Sequence, residues 1–151
     1  MTTEHLSDEK VFAAFRGVLI DRDNIAHYRG LLRGELLINQ CGACGYWIYP
    51  HRSLCPQCLS LQLKPTQVSG NGRLFMFTLI HQERDPNDRL REPIIAAAVE
   101  LVEQSGLRYL ARLVNCPRSD LILDMPVQLT WVGEGRATPA FEPARAGARR
   151  L

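Results

Sequence analysis

The 151-residue chain has no apolar run near the roughly 20 residues that cross a bilayer, so no membrane partner is expected. It also lacks a surplus of charge. Eighteen Lys and Arg stand against sixteen Asp and Glu, for a formal net charge of +2, well short of what a dedicated nucleic-acid binder concentrates, and nucleic acid is not expected as a partner. Met1 to Lys10 is polar, with neither the basic start nor the apolar core of a secretion signal, which makes a cytoplasmic protein the expectation. The chain has no Gly-x-Ser-x-Gly elbow, no phosphate loop and no convincing acid/base pair, so an autonomous hydrolase or transferase is disfavoured. What remains is enough polypeptide for one domain, or one domain with a small appendage.

Residues 8–33 read as two short helices. Val11, Phe12, Phe15 and Leu19 form one apolar stripe, and Ile25, Tyr28, Leu31 and Leu32 another. Asn24 is a candidate N-cap for the second helix and Gly34 its stop signal. Leu36 to Ile38 then lead into Cys41 as a short strand. After the cysteine-rich stretch, five apolar runs separated by turn residues predict five strands: Leu61–Val68, Arg73–His81, Ile94–Val102, Leu107–Val114 and Val127–Val132. Ser69 to Gly72 and Gln104 to Gly106 are turn signals, and Gln82–Pro93 reads as an exposed loop. A helical start followed by five strands fits a small Greek-key barrel of the oligonucleotide/oligosaccharide-binding (OB) type. The fold class is therefore mainly β, with boundaries at 1–34 for the helices, 35–62 for a zinc ribbon, 63–133 for the barrel and 134–151 for an extended tail.

Four of the five cysteines lie in CGACGYWIYPHRSLCPQC, two C-x2-C knuckles ten residues apart. Each knuckle brings two thiolates together beside backbone amides, and two knuckles complete the tetrahedral set zinc prefers. Cys41, Cys44, Cys55 and Cys58 are accordingly the expected ligands of one Zn2+. Four protein thiolates leave no open position for water or substrate, so the role is structural rather than catalytic. Gly42 and Gly45 relieve the first turn and Pro56 stiffens the second. Iron is the alternative metal, since the residues from Cys44 to Pro50 have a rubredoxin flavour.

These residues, together with others along the chain, resemble a known family, domain of unknown function 35, whose members are associated with acyl-coenzyme A. The resemblance runs from about Tyr28 to Phe141. It is carried by Leu36-Leu37-Ile38 before Cys41, the four cysteines, Tyr49-Pro50 with Arg52, Cys55-Pro56, Ser69-Gly70 with Gly72, Phe77-Thr78, Met125-Pro126-Val127, and Pro139 with Phe141. His51, Asp124 and Pro93-Ile94 depart from the family's usual residues. The resemblance implies N-terminal helices, a rubredoxin-like zinc ribbon and an OB barrel. It further implies a subunit that is not an enzyme alone but pairs with a thiolase-fold enzyme, in a two-plus-two heterotetramer, for thiolysis, acyl transfer or retro-aldol cleavage, with acyl-CoA at or near the interface. The partner then supplies the nucleophile, and this chain completes the acyl or CoA channel.

Candidate CoA or partner contacts are His51 and Arg52 in the loop between the knuckles, the aromatic residues Tyr46, Trp47 and Tyr49, and His81 at a strand end. Each has a plainer reading: solvated loop tip for His51 and Arg52, ribbon core for the aromatics, a half-buried hydrogen-bonded ring for His81. Cys116 reads as a buried structural thiol, Trp131 as barrel core, and Arg145, Arg149 and Arg150 as solvated. Two other function classes compete. One is a nucleic-acid-binding ribbon and barrel module, which would want clustered basic and exposed aromatic residues on its strands. The other is a rubredoxin-like electron carrier, which would be a coloured iron protein.

Overall fold

A computed structural model describes residues 6–81, 92–134, 136 and 138–145. Most of the loop expected at Gln82–Pro93, and Arg149 and Arg150, lie outside them. The chain divides into two compact units, one of residues 1–68 with 132–138 and one of 69–131 with 139–151.

The first unit opens with α1 (Asp8–Ala14), whose first turn is held by the Ser7 hydroxyl accepting from the Lys10 amide and carries Asp8 and Glu9 where the helix dipole favours negative charge. Val11 and Phe15 are buried, whereas Phe12 and Leu19 are exposed. The expected stripe is broken because the helix ends at Ala14. The later segment around Arg136 returns to this unit: its guanidinium lies 4.7 Å above the Phe15 ring and donates to the Ala14 carbonyl. Helix α2 spans Ile25–Leu31. Asn24 precedes it but caps nothing with its side chain; instead its Oδ1 accepts from the Asp21 amide and its Nδ2 donates to the Leu19 carbonyl, closing the turn before the helix. Gly34, at φ 73°, takes the left-handed conformation that ends the helical path.

A three-stranded sheet follows, in the order β2-β1-β3, from β1 (Leu37–Cys41), β2 (Trp47–Ile48) and β3 (Leu63–Gln67). Both pairings are antiparallel. Pro65 sits in β3, an edge strand, where its missing N–H leaves fewer ladder bonds unmade.

In the second unit β4 (Asn71–Ile80), β5 (Ile94–Leu101), β6 (Arg108–Leu113), β7 (Pro126–Val132) and β8 (Thr138–Pro143) close into a barrel in the order β4-β5-β6-β8-β7. β6 and β8 run parallel and the other recorded pairs antiparallel. The five-strand barrel expected from the sequence is present, but its membership differs. The run read as its first strand is β3 of the smaller sheet, and the closing strand is β8, within the stretch read as an extended tail. Leu74, Val99, Leu101, Val127 and Phe141 are fully buried inside. At Gly72 a Cβ would stand 2.5 Å from Val99 Cγ1 and 2.7 Å from the Glu100 carbonyl oxygen, so only glycine lets β4 approach β5 here.

Candidate metal centre

The two knuckles are built alike. In the first, the Gly45 amide donates to the Cys41 carbonyl at 2.9 Å and the Cys41 amide to the Tyr46 carbonyl at 2.8 Å; in the second, the Leu59 amide donates to Cys55 at 2.9 Å and the Cys55 amide to Ser60 at 2.9 Å. Each turn ends in a left-handed residue, Gly45 at φ 76° and Leu59 at φ 61°. The Gly42 amide also donates to the Gln62 carbonyl at 2.7 Å, fastening the first knuckle to the residue just before β3.

This scaffold brings the four thiols together. Their sulfurs all lie within 4.8 Å of one another, with Cys41 and Cys58 at 3.6 Å and Cys44 and Cys55 also at 3.6 Å. A tetrahedral zinc with bonds of about 2.3 Å sets sulfur separations of roughly 3.8 Å, so the residues present fit the ion. Cys41 and Cys55 are buried and Cys44 and Cys58 exposed, and Tyr46 and Leu63 pack against the small cluster of Cys41, Ile48 and Cys55. The amide of Cys44, with help from that of Ala43, favours the Cys41 thiolate and brings its pKa down to about 6. At Cys44 the Tyr46 amide acts in the same sense, but desolvation and the other three cysteines outweigh it and push the pKa up to about 12. Four negative sulfurs at these separations need a cation among them.

Beside the ribbon lies a group of rings that the sequence only half disclosed. His27, on α2, is buried, and its Nδ1 stands 2.8 Å from the Leu37 carbonyl oxygen, a geometry that puts the proton on Nδ1 as donor. Burial lowers its pKa, opposed by that hydrogen bond. His51 turns inward to it, ring centroids 5.0 Å apart, and meets the Tyr49 ring edge-on at 5.5 Å. Both His51 ring nitrogens are buried without a hydrogen-bond partner among the described residues, and burial, reinforced by His27, drives its pKa down to about 4. The solvated loop-tip reading of His51 is therefore corrected: its ring nitrogens are buried against the protein. Nothing in the sequence marked His27, since an isolated histidine within a helix has no partner visible in sequence.

The other candidate residues are dispersed. Arg52 is exposed and lines, with Arg22, Asp23, Asn39 and Ser53, an open cavity of about 360 Å³ in the first unit; Asp23 there accepts from the Ser53 hydroxyl at 2.5 Å. Tyr46 and Trp47 are half-buried in the ribbon, and His81 is exposed just past β4. Cys116, read as buried, is half-buried after β6 and lines a second cavity of about 480 Å³ in the barrel unit with Arg112 and Arg118. Burial and then Asp120 raise its pKa, the opposite of an activated nucleophile. Trp131 is half-buried. No helix among the described residues is long and apolar enough to cross a membrane.

Comparison with known proteins adds a lineage to this geometry. Residues 29–64 match the model for the rubredoxin-like zinc ribbon domain of ChsH2, and residues 65–132 match that for its C-terminal OB-fold domain. Among solved structures, a chain of the Ltp2-ChsH2(DUF35) aldolase superposes with a TM-score of 0.73 at 28% identity, covering 85% of this chain and 99% of its own length. A protein of unknown function from the DUF35 family of Sulfolobus solfataricus shares the fold, at a TM-score of 0.59 and 15% identity over 90% of this chain and 96% of its own. The two domain models run without a gap from residue 29 to residue 132, over the ribbon and four of the five barrel strands, and the chain belongs to the DUF35 family of ChsH2-type zinc-ribbon and OB-fold proteins.

Proposed function

We propose that this chain is the non-catalytic subunit of a two-component acyl-CoA enzyme. It binds a thiolase-fold partner, helps to complete that partner's acyl or CoA channel, and holds one structural zinc on Cys41, Cys44, Cys55 and Cys58. The observation that carries the reading is the 28% identity, over 85% of this chain and 99% of the other, to a chain of an Ltp2-ChsH2(DUF35) aldolase. That likeness favours retro-aldol cleavage over thiolysis or acyl transfer as the partner's reaction. The ribbon supports a structural role for the metal, because four protein sulfurs fill a tetrahedron and leave no site for substrate. Burial and then Asp120 disfavour the Cys116 thiolate, which supports leaving the nucleophile to the partner. Thiolates kept free for zinc call for a reducing compartment, which fits the cytoplasm.

The test is purification of the full chain from its native cells at moderate salt, with mass spectrometry of the co-purifying proteins and metal analysis of the same sample. A thiolase-fold subunit in equal amount with one zinc per chain is expected, and Cys55→Ser is expected to lose both zinc and partner. A coloured, iron-loaded protein with reversible one-electron chemistry, or a zinc-free variant that still fully supports its partner, would defeat the reading.

A further inference from the structure

The barrel carries an apolar surface that neither the ribbon nor the barrel interior explains. Antiparallel registers align Met76 of β4 with Ala98 of β5, and Ala98 with Leu110 of β6. Side chains alternate between faces along a strand, and Leu74, Val99 and Tyr109 occupy the inner face, so Met76, Ala98 and Leu110 form one row on the outside. Met76 is 57% exposed and Leu110 69%, and Ala98 is buried between them at 5%. Ile80 opposite Ile94, and Thr78 opposite Ala96, extend this surface toward one end. Isolated exposed apolar residues are ordinary, but a continuous row of them marks a contact surface.

The rim of this face is cationic. The row on one side of the apolar centre is Arg73, Glu100 and Arg108, and Arg112 stands opposite Ala96 on the other. Glu100, the carboxylate within these rows, is already paired with Arg108 at 3.2 Å. Arg108 also lies 3.5 Å above the Phe75 ring and covers its face.

We propose that the outer face of β4, β5 and β6 is where the thiolase-fold subunit docks, an apolar protrusion of that subunit meeting Met76, Ala98 and Leu110 while its carboxylates meet Arg73, Arg108 and Arg112. The proposal rests on the function inferred above and adds the surface and its chemistry. Charge selects among occupants. A second copy of the same face would set arginines against arginines. A single-stranded nucleic acid would find cations for its phosphates but methionine, alanine and leucine where its bases need open rings, the Phe75 face being taken. A protein surface with an apolar centre and an acidic rim satisfies both parts.

The test uses the full, zinc-loaded chain and the thiolase-fold subunit that co-purifies with it, with affinity measured by calorimetry at two salt concentrations. Met76→Glu/Leu110→Glu is expected to weaken binding by roughly a hundredfold, as loss of a central apolar anchor does. Arg112→Glu is expected to weaken it by roughly tenfold and to flatten the salt dependence. Leu19→Glu, at a residue 85% exposed in the other unit, stays within about twofold of the wild type. Thermal unfolding and zinc content of each variant establish that it is folded. If both face variants bind like the wild type while Cys55→Ser does not bind, the surface is wrong and the proposed function survives. If the wild-type chain binds no thiolase-fold subunit, both fall. Self-association, or binding of single-stranded DNA, that is lost in Leu110→Glu would assign the face to that occupant and overturn the proposal.

Discussion

The ribbon and the barrel belong to one chain and are held together by different means. The ribbon's buried cluster is Cys41, Ile48 and Cys55, with Tyr46 and Leu63 partly covered around it; two of its three fully interior side chains are candidate metal ligands. The barrel buries Leu74, Val99, Leu101, Leu107, Tyr109, Leu113, Val127, Ala140 and Phe141, a core of ordinary apolar packing closed by hydrogen bonds around five strands. Val11, Leu36 and Ile38 give the ribbon's unit buried apolar side chains of its own, but the knuckles bury little besides Cys41, Ile48 and Cys55, too little to offset the entropy of ordering them, and a metal held by the four sulfurs would take the place of a core there. A closed barrel needs no such help.

The largest effect expected from this contrast is on chelation. Structural zinc contributes on the order of 10 kcal/mol of apparent binding free energy in small peptides, so a strong chelator should disorder the ribbon while the barrel persists. Trp47 reports on the ribbon in a Trp131→Phe background, and amide exchange along β5 reports on the barrel; loss of β5 protection together with the Trp47 signal would show that the barrel too depends on the metal. The converse perturbation is Phe141→Ala, which removes a fully buried ring from the barrel and should cost about 3–5 kcal/mol in urea unfolding followed through Trp131. Zinc content should remain at one per chain in that variant. A variant that folds but has lost its metal would join the two halves of the comparison.

Acid should act on the ribbon side. His51 is neutral in the fold, with its pKa lowered from 6.5 to about 4. As pH falls below 6.5 the unfolded chain takes up a proton that the folded chain refuses, so stability declines until about pH 4, by at most roughly 1.4 kcal/mol per pH unit. Zinc release steepens the same decline. The difference between the wild type and His51→Phe isolates the histidine: the variant should lose less stability between pH 7 and pH 5, and identical profiles would show that the buried ring does not resist protonation.

The smallest expected effect compares the two knuckles themselves. Gly45 and Leu59 occupy equivalent left-handed positions, but a side chain there costs about 1–2 kcal/mol. Leu59→Gly should raise the chelator concentration needed to strip the metal, and Gly45→Ala should lower it. Shifts in the same direction for the two changes would mean that the knuckles are not energetically equivalent turns.

The convergence of the four cysteines was legible because C-x2-C spacing is itself the geometry: two residues between cysteines make the turn that brings them together. The helices were legible from their stripes, but not where they ended. The closing strand was not legible. Thr138–Pro143 contains Pro139 and Pro143, which weaken a strand signal, and it pairs with β6 in parallel at Arg112 with Ala140 and Leu113 with Phe141, a contact between residues far apart in sequence. Leu63–Gln67 looked like a barrel strand because its local pattern is the same in either sheet; pairing with β1 decides the matter. Inward-facing His51 was missed for a related reason, since His27, which it meets on α2, lies more than twenty positions earlier.

The parallel pairing of β6 with β8 also orders events during synthesis. Every strand of the small sheet lies between Leu37 and Gln67, so that sheet is complete in sequence before any barrel strand has been made. The barrel, by contrast, waits for Thr138–Pro143, and until that segment leaves the ribosome the edge of β6 at Arg112 and Leu113 is unpaired. The nascent chain therefore completes its metal-ready sheet before its barrel and carries an open strand edge until Thr138–Pro143 has been made, a window in which Leu113 and the rest of the barrel interior are most exposed to misassembly.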